Sequence, residues 1–199
     1  MSLNMEEQMK NKLRLLFAPL TILSFLLVGI VSGCSSANTV SSADQDNIKT
    51  IKTVLEKQFT GPDDKLTQMI TSEKNITVIG KDGKVTQPKS PTELETYYEK
   101  NYKAYFTEDM YIMFIAADAF KYQSLAHKNG FQLKADNITI KKDKKAKETY
   151  EFKVNVICET DGPDQQNAVV SGKVNLSKDG KITSIRYLND AEFTKVMNH

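Results

Sequence analysis

Hydrophobic positions change their spacing along this chain, and the changes mark its elements. Over residues 44–59, Ile48, Ile51, Val54, Leu55 and Phe59 fall on one helical stripe. Asp44 or Asp46 suits the cap at its start. Gly61-Pro62 breaks the stripe. A second helix is predicted with Pro62 in its first turn, Asp63 and Asp64 at its positive end, and Leu66, Met69 and Ile70 as its apolar face. Ile76, Val78 and Ile79 before Asp82-Gly83 predict a small hairpin over 76–86. Ser90-Pro91-Thr92-Glu93 reads as a capping box with proline at the first helical position. The helix it opens carries Leu94, Tyr97, Tyr98, Tyr102, Tyr105 and Phe106. Thr107-Glu108-Asp109 starts a further helical stretch over 108–128, with a break near Asp118 and an end at Gly130.

From Phe131 the period becomes two. Phe131, Leu133 and Ala135 alternate, then Ile138 and Ile140 continue on the opposite parity, which calls for a bulge near Asp136-Asn137. Tyr150, Phe152, Val154, Val156 and Cys158 form one face of the next strand, so Cys158 is expected in the core. Ala168, Val170, Gly172, Val174 and Leu176 form the same face of a third. Asp179-Gly180 turns the chain into a fourth strand over 182–188, and Asn189 with Glu192 suits the cap of a last short helix bearing Phe193 and Val196. Helices first and a four-stranded antiparallel meander second is α+β, with N-terminal helices packed on one face of a curved sheet.

The N-terminal stretch has neither period. Lys10, Lys12 and Arg14 precede an uncharged run, LLFAPLTILSFLLVGIVSGC, over residues 15–34. Basic lead, apolar run and small residues make a secretory signal peptide. Its ending Val31-Ser32-Gly33-Cys34 resembles the lipobox of bacterial lipoproteins. The resemblance implies cleavage after Gly33 and a diacylglyceryl thioether on Cys34, two acyl chains that anchor a protein stably. An ordinary signal peptide with an incidental Cys34, and an uncleaved membrane helix, are the competing readings; residues 15–33 approach the roughly 20 that span a bilayer. The start is Met1, Met5 or Met9. The resulting plan is a signal peptide over 1–33, lipidated Cys34 and a small polar tether over 34–43, and a single α+β domain over 44–199. The expected location is the extracytoplasmic face of the cell membrane.

Charge narrows the partners. Residues 1–33 hold three basic and two acidic side chains, so their removal takes the formal charge from +2 to +1. That balance offers no whole-domain case for nucleic acid. Only Cys158 then remains as a thiol, and two histidines with one interior cysteine do not make a metal cluster. No nucleotide, zinc-helix or nucleophile-elbow motif is present, and no cofactor is expected. Lys141-Lys142-Asp143-Lys144-Lys145-Ala146-Lys147 forms a basic hairpin tip, suited to anionic headgroups or wall polymers, or simply to a solvated turn that guards strand edges.

The order of elements resembles the cystatin-like cone of the nuclear transport factor two-like superfamily. The stretches Tyr97-Tyr98-Glu99-Lys100-Asn101-Tyr102 to Phe106-Thr107, Ala126-His127-Lys128-Asn129-Gly130-Phe131 and Lys181-Ile182-Thr183-Ser184-Ile185 resemble small lipoproteins of Gram-positive bacteria with this fold. The resemblance covers about residues 44–198 and carries no catalytic motif. The superfamily contains isomerases, cyclases, dehydratases and non-catalytic adaptors, so fold alone leaves function open. In its isomerases a phenol and carboxyl groups act inside the cone. By that likeness Tyr97, Tyr98, Tyr102 and Tyr105 line a pocket beneath the sheet, with Asp118, Tyr122 and His127 as its nearest polar groups. The competing reading makes the rings core, their hydroxyls reaching the rim. The expected function is non-catalytic binding of a small apolar ligand or an envelope protein; the alternative is a cone-fold enzyme of the isomerase or cyclase type with an acid–base pocket.

Overall fold

The computed structural model describes residues 41–75, 77–163 and 165–198. The signal segment, Cys34 and the tether through residue 40 lie outside the described residues. The helices are α1 Ser42–Gln58, α2 Asp64–Thr71, α3 Glu93–Tyr102, α4 Glu108–Ala117, α5 Lys121–Lys128 and α6 Ala191–Met197. A short 3-10 turn, Lys103–Tyr105, follows α3. Strands β1 Val78–Ile79 and β2 Val85–Thr86 form a small hairpin between α2 and α3. Strands β3 Gln132–Lys142, β4 Thr149–Glu159, β5 Gln165–Leu176 and β6 Ile182–Asn189 make one antiparallel sheet in chain order. The sheet is open, with β3 and β6 as its edges. Among the described residues, no helix is long and apolar enough to cross a membrane.

The period-two pattern fixes the register. Tyr150 pairs with Val174, Phe152 with Gly172, Val154 with Val170 and Val156 with Ala168. All of these side chains face inward and are at most 3% exposed where they carry a side chain. Burying a Val or Phe contributes roughly 1.5–3 kcal/mol, and a slip by one residue would turn the whole face to water. The parity switch in β3 is absorbed by a register shift between Ala135 and Asn137, as the sequence predicts. Cys158 is fully buried on the inner face, and burial pushes its thiol up to about 11. Gly172 lies directly under Phe152. A Cβ there would stand 2.1 Å from the Arg186 carbonyl oxygen and 2.5 Å from the Phe152 ring.

The helices cover this face. Ile51, Val54 and Leu55 of α1 and Phe59 at its C-cap are fully buried, and α1 packs against β3. The break at Asp118 separates α4 from α5, and α6 returns across β5 to bury Phe193 and Met197. Gly61 pairs with Leu133 at the β3 edge through bonds of 3.0 and 2.6 Å.

The helix starts depart from the sequence reading, each for a physical reason. Ser41, not Asp44 or Asp46, caps α1 by accepting from Asp44 N at 3.1 Å, so the helix begins inside the stretch assigned to the tether. Asp44 is occupied elsewhere: it accepts from Lys142 Nζ at 2.5 Å and from Tyr150 OH at 2.7 Å. Asp63 caps α2, and Pro62 precedes the cap instead of entering the first turn. The box that starts α3 is Thr92 with Glu95, not Ser90 with Glu93. Glu95 N donates to Thr92 Oγ1 at 3.0 Å, Thr92 N donates to Glu95 Oε2 at 2.6 Å, and Ser90 Oγ donates to the same oxygen at 3.0 Å. Asn189 does not cap α6; Asp190 stands at that position, and Glu192 accepts from Val169 N of β5 at 3.2 Å.

Two outcomes follow. Gly172→Ala forces Phe152 or the β6 backbone to move, and overpacking of this kind costs about 1–3 kcal/mol. Urea unfolding should show a lowered midpoint; an unchanged midpoint would mean that the β5–β6 spacing is looser than described. Hydrogen bonds from Lys142 and then Tyr150 lower the Asp44 carboxyl from its ordinary 3.8 to about 2. A lowered folded-state value means stability that is full above pH 3.8 and lost as pH falls towards 2. The stability gap between wild type and Asp44→Asn should therefore close between these pH values. A gap that does not change with pH would refute the pairing.

Candidate functional site

The inner face of the sheet is where the sequence placed a pocket, and aromatic rings occupy it. Phe59 lies 4.5 Å from Tyr122 between ring centroids, 6.3 Å from Phe193 and 6.4 Å from Tyr187. Beside this group Phe106 stacks on Phe114 at 4.5 Å, Tyr102 tilts against Phe114 at 5.2 Å, and Tyr98 meets Phe120 edge-on at 4.5 Å. Edge-to-face and tilted pairs at these separations are favourable packing. Tyr98, Tyr102 and Tyr122 are thus core side chains, at most 3% exposed. Tyr105 is half-buried on the 3-10 turn, and His127 is exposed on α5.

Polar atoms reach this core from one side. Gln58, 1% exposed, accepts from the Tyr187 hydroxyl and donates to the Asp118 carbonyl at 2.9 Å. Gln123, 4% exposed, donates to the carbonyls of Lys57 at 2.6 Å and Thr60 at 3.0 Å, closing the last turn of α1. Neither glutamine stands out in the sequence by residue type. Gln58 was nonetheless readable, because it continues the Ile51 and Leu55 stripe at helical spacing. At the rim, Tyr122 OH donates to Asp190 Oδ2 at 3.1 Å and Lys121 Nζ donates to the same oxygen at 2.5 Å. The Lys121 bond holds the Asp190 carboxyl below its ordinary range. Burial pushes the Asp118 carboxyl up; Lys121 opposes this and Asp190 adds to it. Burial likewise raises the Tyr98, Tyr102 and Tyr122 phenols well above 10.

An acid–base site needs convergent groups around an open space. Here Asp118, Lys121, Tyr122 and Asp190 border packed rings. The Tyr98 hydroxyl is buried with no hydrogen-bond partner among the described residues. No group of three His, Cys, Asp or Glu side chains that could hold a metal ion is present among them.

Open space lies instead on the helical side. A groove of about 300 Å³ is lined by Lys57, Asp63, Tyr97, Asn101, Tyr102 and Gln123 among others. A second, of about 610 Å³, lies between α2 and α3 against Lys65, Met69, Pro91, Tyr97 and Lys100. The two share Tyr97 and Asn101. Lys57 Nζ donates to Asn101 Oδ1 at 2.9 Å, and Asn101 Nδ2 donates to the Tyr97 carbonyl at 2.8 Å, which fixes this shared wall. Of the residues placed in a pocket by the sequence, Tyr97 lines both grooves and Tyr102 one; Tyr98, Tyr105, Asp118, Tyr122 and His127 line neither. On the outer side of α4, Ile112 and Met113 remain 62% and 63% exposed.

No protein-family model, curated protein or solved structure matches the chain. The class defined here is an α+β domain with helices on one face of an open four-stranded antiparallel sheet.

Removing a buried hydroxyl that has no partner is neutral or stabilising, whereas orphaning partners costs about 1–3 kcal/mol per group. Tyr98→Phe should therefore leave the unfolding midpoint equal or higher. Gln58→Ala, which strands the Tyr187 hydroxyl and the Asp118 carbonyl, should lower the midpoint and cost at least about 1 kcal/mol of stability. The reverse order would show that the Tyr98 hydroxyl has a role this packing does not contain.

Proposed function

We propose that the chain is a membrane-anchored extracytoplasmic lipoprotein, held by diacylglycerol on Cys34, whose domain binds a partner and does not catalyse. The observation that carries the second half is the filled inner face. Phe59, Phe106, Phe114, Tyr122 and Phe193 are all at most 1% exposed where an acid–base pocket would need space. The scaffold is read as a nuclear transport factor two-like, cystatin-like one, supported by helices that precede a long antiparallel meander and pack on its one face. With the interior closed, binding falls to the outside. The α2–α3 groove joins apolar walls from Met69, Pro91 and Tyr97 to Lys65, Glu93 and Lys100, and this mixture suits a segment of an envelope protein better than a small apolar molecule. The exposed Ile112 and Met113 of α4 offer a second contact.

The anchor is tested by mass and partition. Expressed as the full chain in a bacterial host, the wild type should enter the detergent phase, lighter by residues 1–33 and heavier by a diacylglyceryl group. Cys34→Ala should lose the lipid mass. Two proteins of the same modification state, both keeping residues 1–33, would overturn the reading.

A further inference from the structure

The first turn of α1 is clamped to one end of the sheet, and that end carries two lysine-bearing turns. Asp44 accepts from Lys142 and Tyr150, the residues that flank the β3–β4 turn, at 2.5 and 2.7 Å. Asn47 Nδ2 donates to the Tyr150 hydroxyl at 3.1 Å. On the other side, a Cβ at Gly180 in the β5–β6 turn would stand 3.0 Å from Asn47 Oδ1. The turns are also tied to each other: Leu176 N donates to the Glu148 carbonyl at 2.9 Å, and Thr149 Oγ1 donates to Asn175 Oδ1 at 2.8 Å. Asp44 and Asn47, three and six residues after the first described residue, Ser41, are therefore fixed against these turns.

Their charge is lopsided. Lys144, Lys145 and Lys147 on one turn and Lys178 and Lys181 on the other are all exposed. Of the acids there, Asp143 is turned inward, accepting from Lys145 N at 2.8 Å and Ala146 N at 3.2 Å and facing Lys173 at 3.7 Å. Glu148 and Asp179 remain exposed. The sequence showed only the first of these turns as a basic run. The second turn, and the seating of the first turn of α1 against both, come from the fold.

We propose that this end of the sheet docks on anionic lipid headgroups and so orients the domain on its own membrane. The inference rests on the lipid at Cys34. From Cys34 to Ser41 is seven peptide steps, which extend to at most about 25 Å. An anchored chain therefore keeps Ser41 within that reach of the headgroups, and the two turns are what the first turn of α1 is bonded to or packed against. Attraction to an anionic surface acts within a Debye length, about 8 Å at physiological salt. Each lysine that reaches the surface strengthens association roughly fivefold. Lipid headgroups are the partner by this geometry, since a wall polymer would not select the tether's end.

The test uses the lipidated full chain in vesicles of phosphatidylcholine, alone or with phosphatidylglycerol. Mass spectrometry first reads the lipid on Cys34; its absence overturns the anchor, and this docking with it. A fluorophore on Asp179→Cys reports the β5–β6 turn, and one on Asp161→Cys reports the opposite end of the sheet. With a headgroup-borne quencher, the label at 179 should be quenched at least twofold more in phosphatidylglycerol vesicles. That excess should vanish at high salt and in Lys144→Glu/Lys145→Glu/Lys147→Glu. It should fall partway in the neutral Gln version, while the label at 161 stays unquenched. With the Cys34 lipid present, equal quenching of the 179 label in both vesicle types would overturn the docking. So would a label that responds to soluble polyphosphate but not to phosphatidylglycerol, which would assign the lysines to a polymer.

Discussion

One sheet face has to be buried, and the rest of the domain is arranged to bury it. Strands β4 and β5 each present a continuous inner row, from Tyr150 to Cys158 and from Ala168 to Leu176, with scarcely any exposed surface. At roughly 25 cal/mol per Å² of apolar surface, exposing such a face would exceed the whole stability of a domain this size. The helices answer with rings. Phe59 comes from α1, Tyr98 and Tyr102 from α3, Phe114 from α4, Tyr122 from α5 and Phe193 from α6. Where β5 passes the Phe152 ring and the Arg186 carbonyl it carries no side chain: Gly172 leaves room for both.

Polar groups then determine how the helices are seated. Where α1 ends, Gln58 donates to the Asp118 carbonyl at the end of α4, and Gln123 donates to the Lys57 and Thr60 carbonyls. The other end of α1 is held by Asp44, which two donors from the sheet keep ionised. Both ends of the first helix are thus bonded to later parts of the chain. Its seating on the sheet is set by these long-range bonds together with its buried stripe.

This division explains what could be read from the sequence. Strands with one wet and one dry face announce themselves by alternation, so the register of β4 and β5 and the β3 bulge were legible. Helix starts were less so, because the same residues serve local and distant partners. Asp44 is a good cap by type, but Lys142 and Tyr150 take it, and Ser41 does the capping. Glu192 matched a cap three residues after Asn189 and instead bonds Val169 of β5. Two capping boxes overlapped at 90–95, and the one chosen is the one whose carboxylate satisfies both Thr92 N and the Ser90 hydroxyl. The tyrosines were ambiguous for a different reason. An aromatic stripe at helical spacing reads alike whether it lines a cavity or fills one. The fold decides it: Tyr98 packs on Phe120, Tyr102 on Phe114, and Tyr122 on Phe59 and Phe193.

The buried rings on the inner face support the proposal that the domain binds through its outside, by its groove, its α4 surface and its lysine-bearing turns. That claim is tested most directly by a methyl-resolved NMR titration with small apolar probes such as a short fatty acid and a steroid. The inner-face methyls of Val154, Val156, Val170 and Val174 should keep their shifts at every probe concentration, because all four are fully buried beneath the helices. Saturable shifts of these methyls, with contacts from the probe, would show an interior that opens to ligands and would contradict the account.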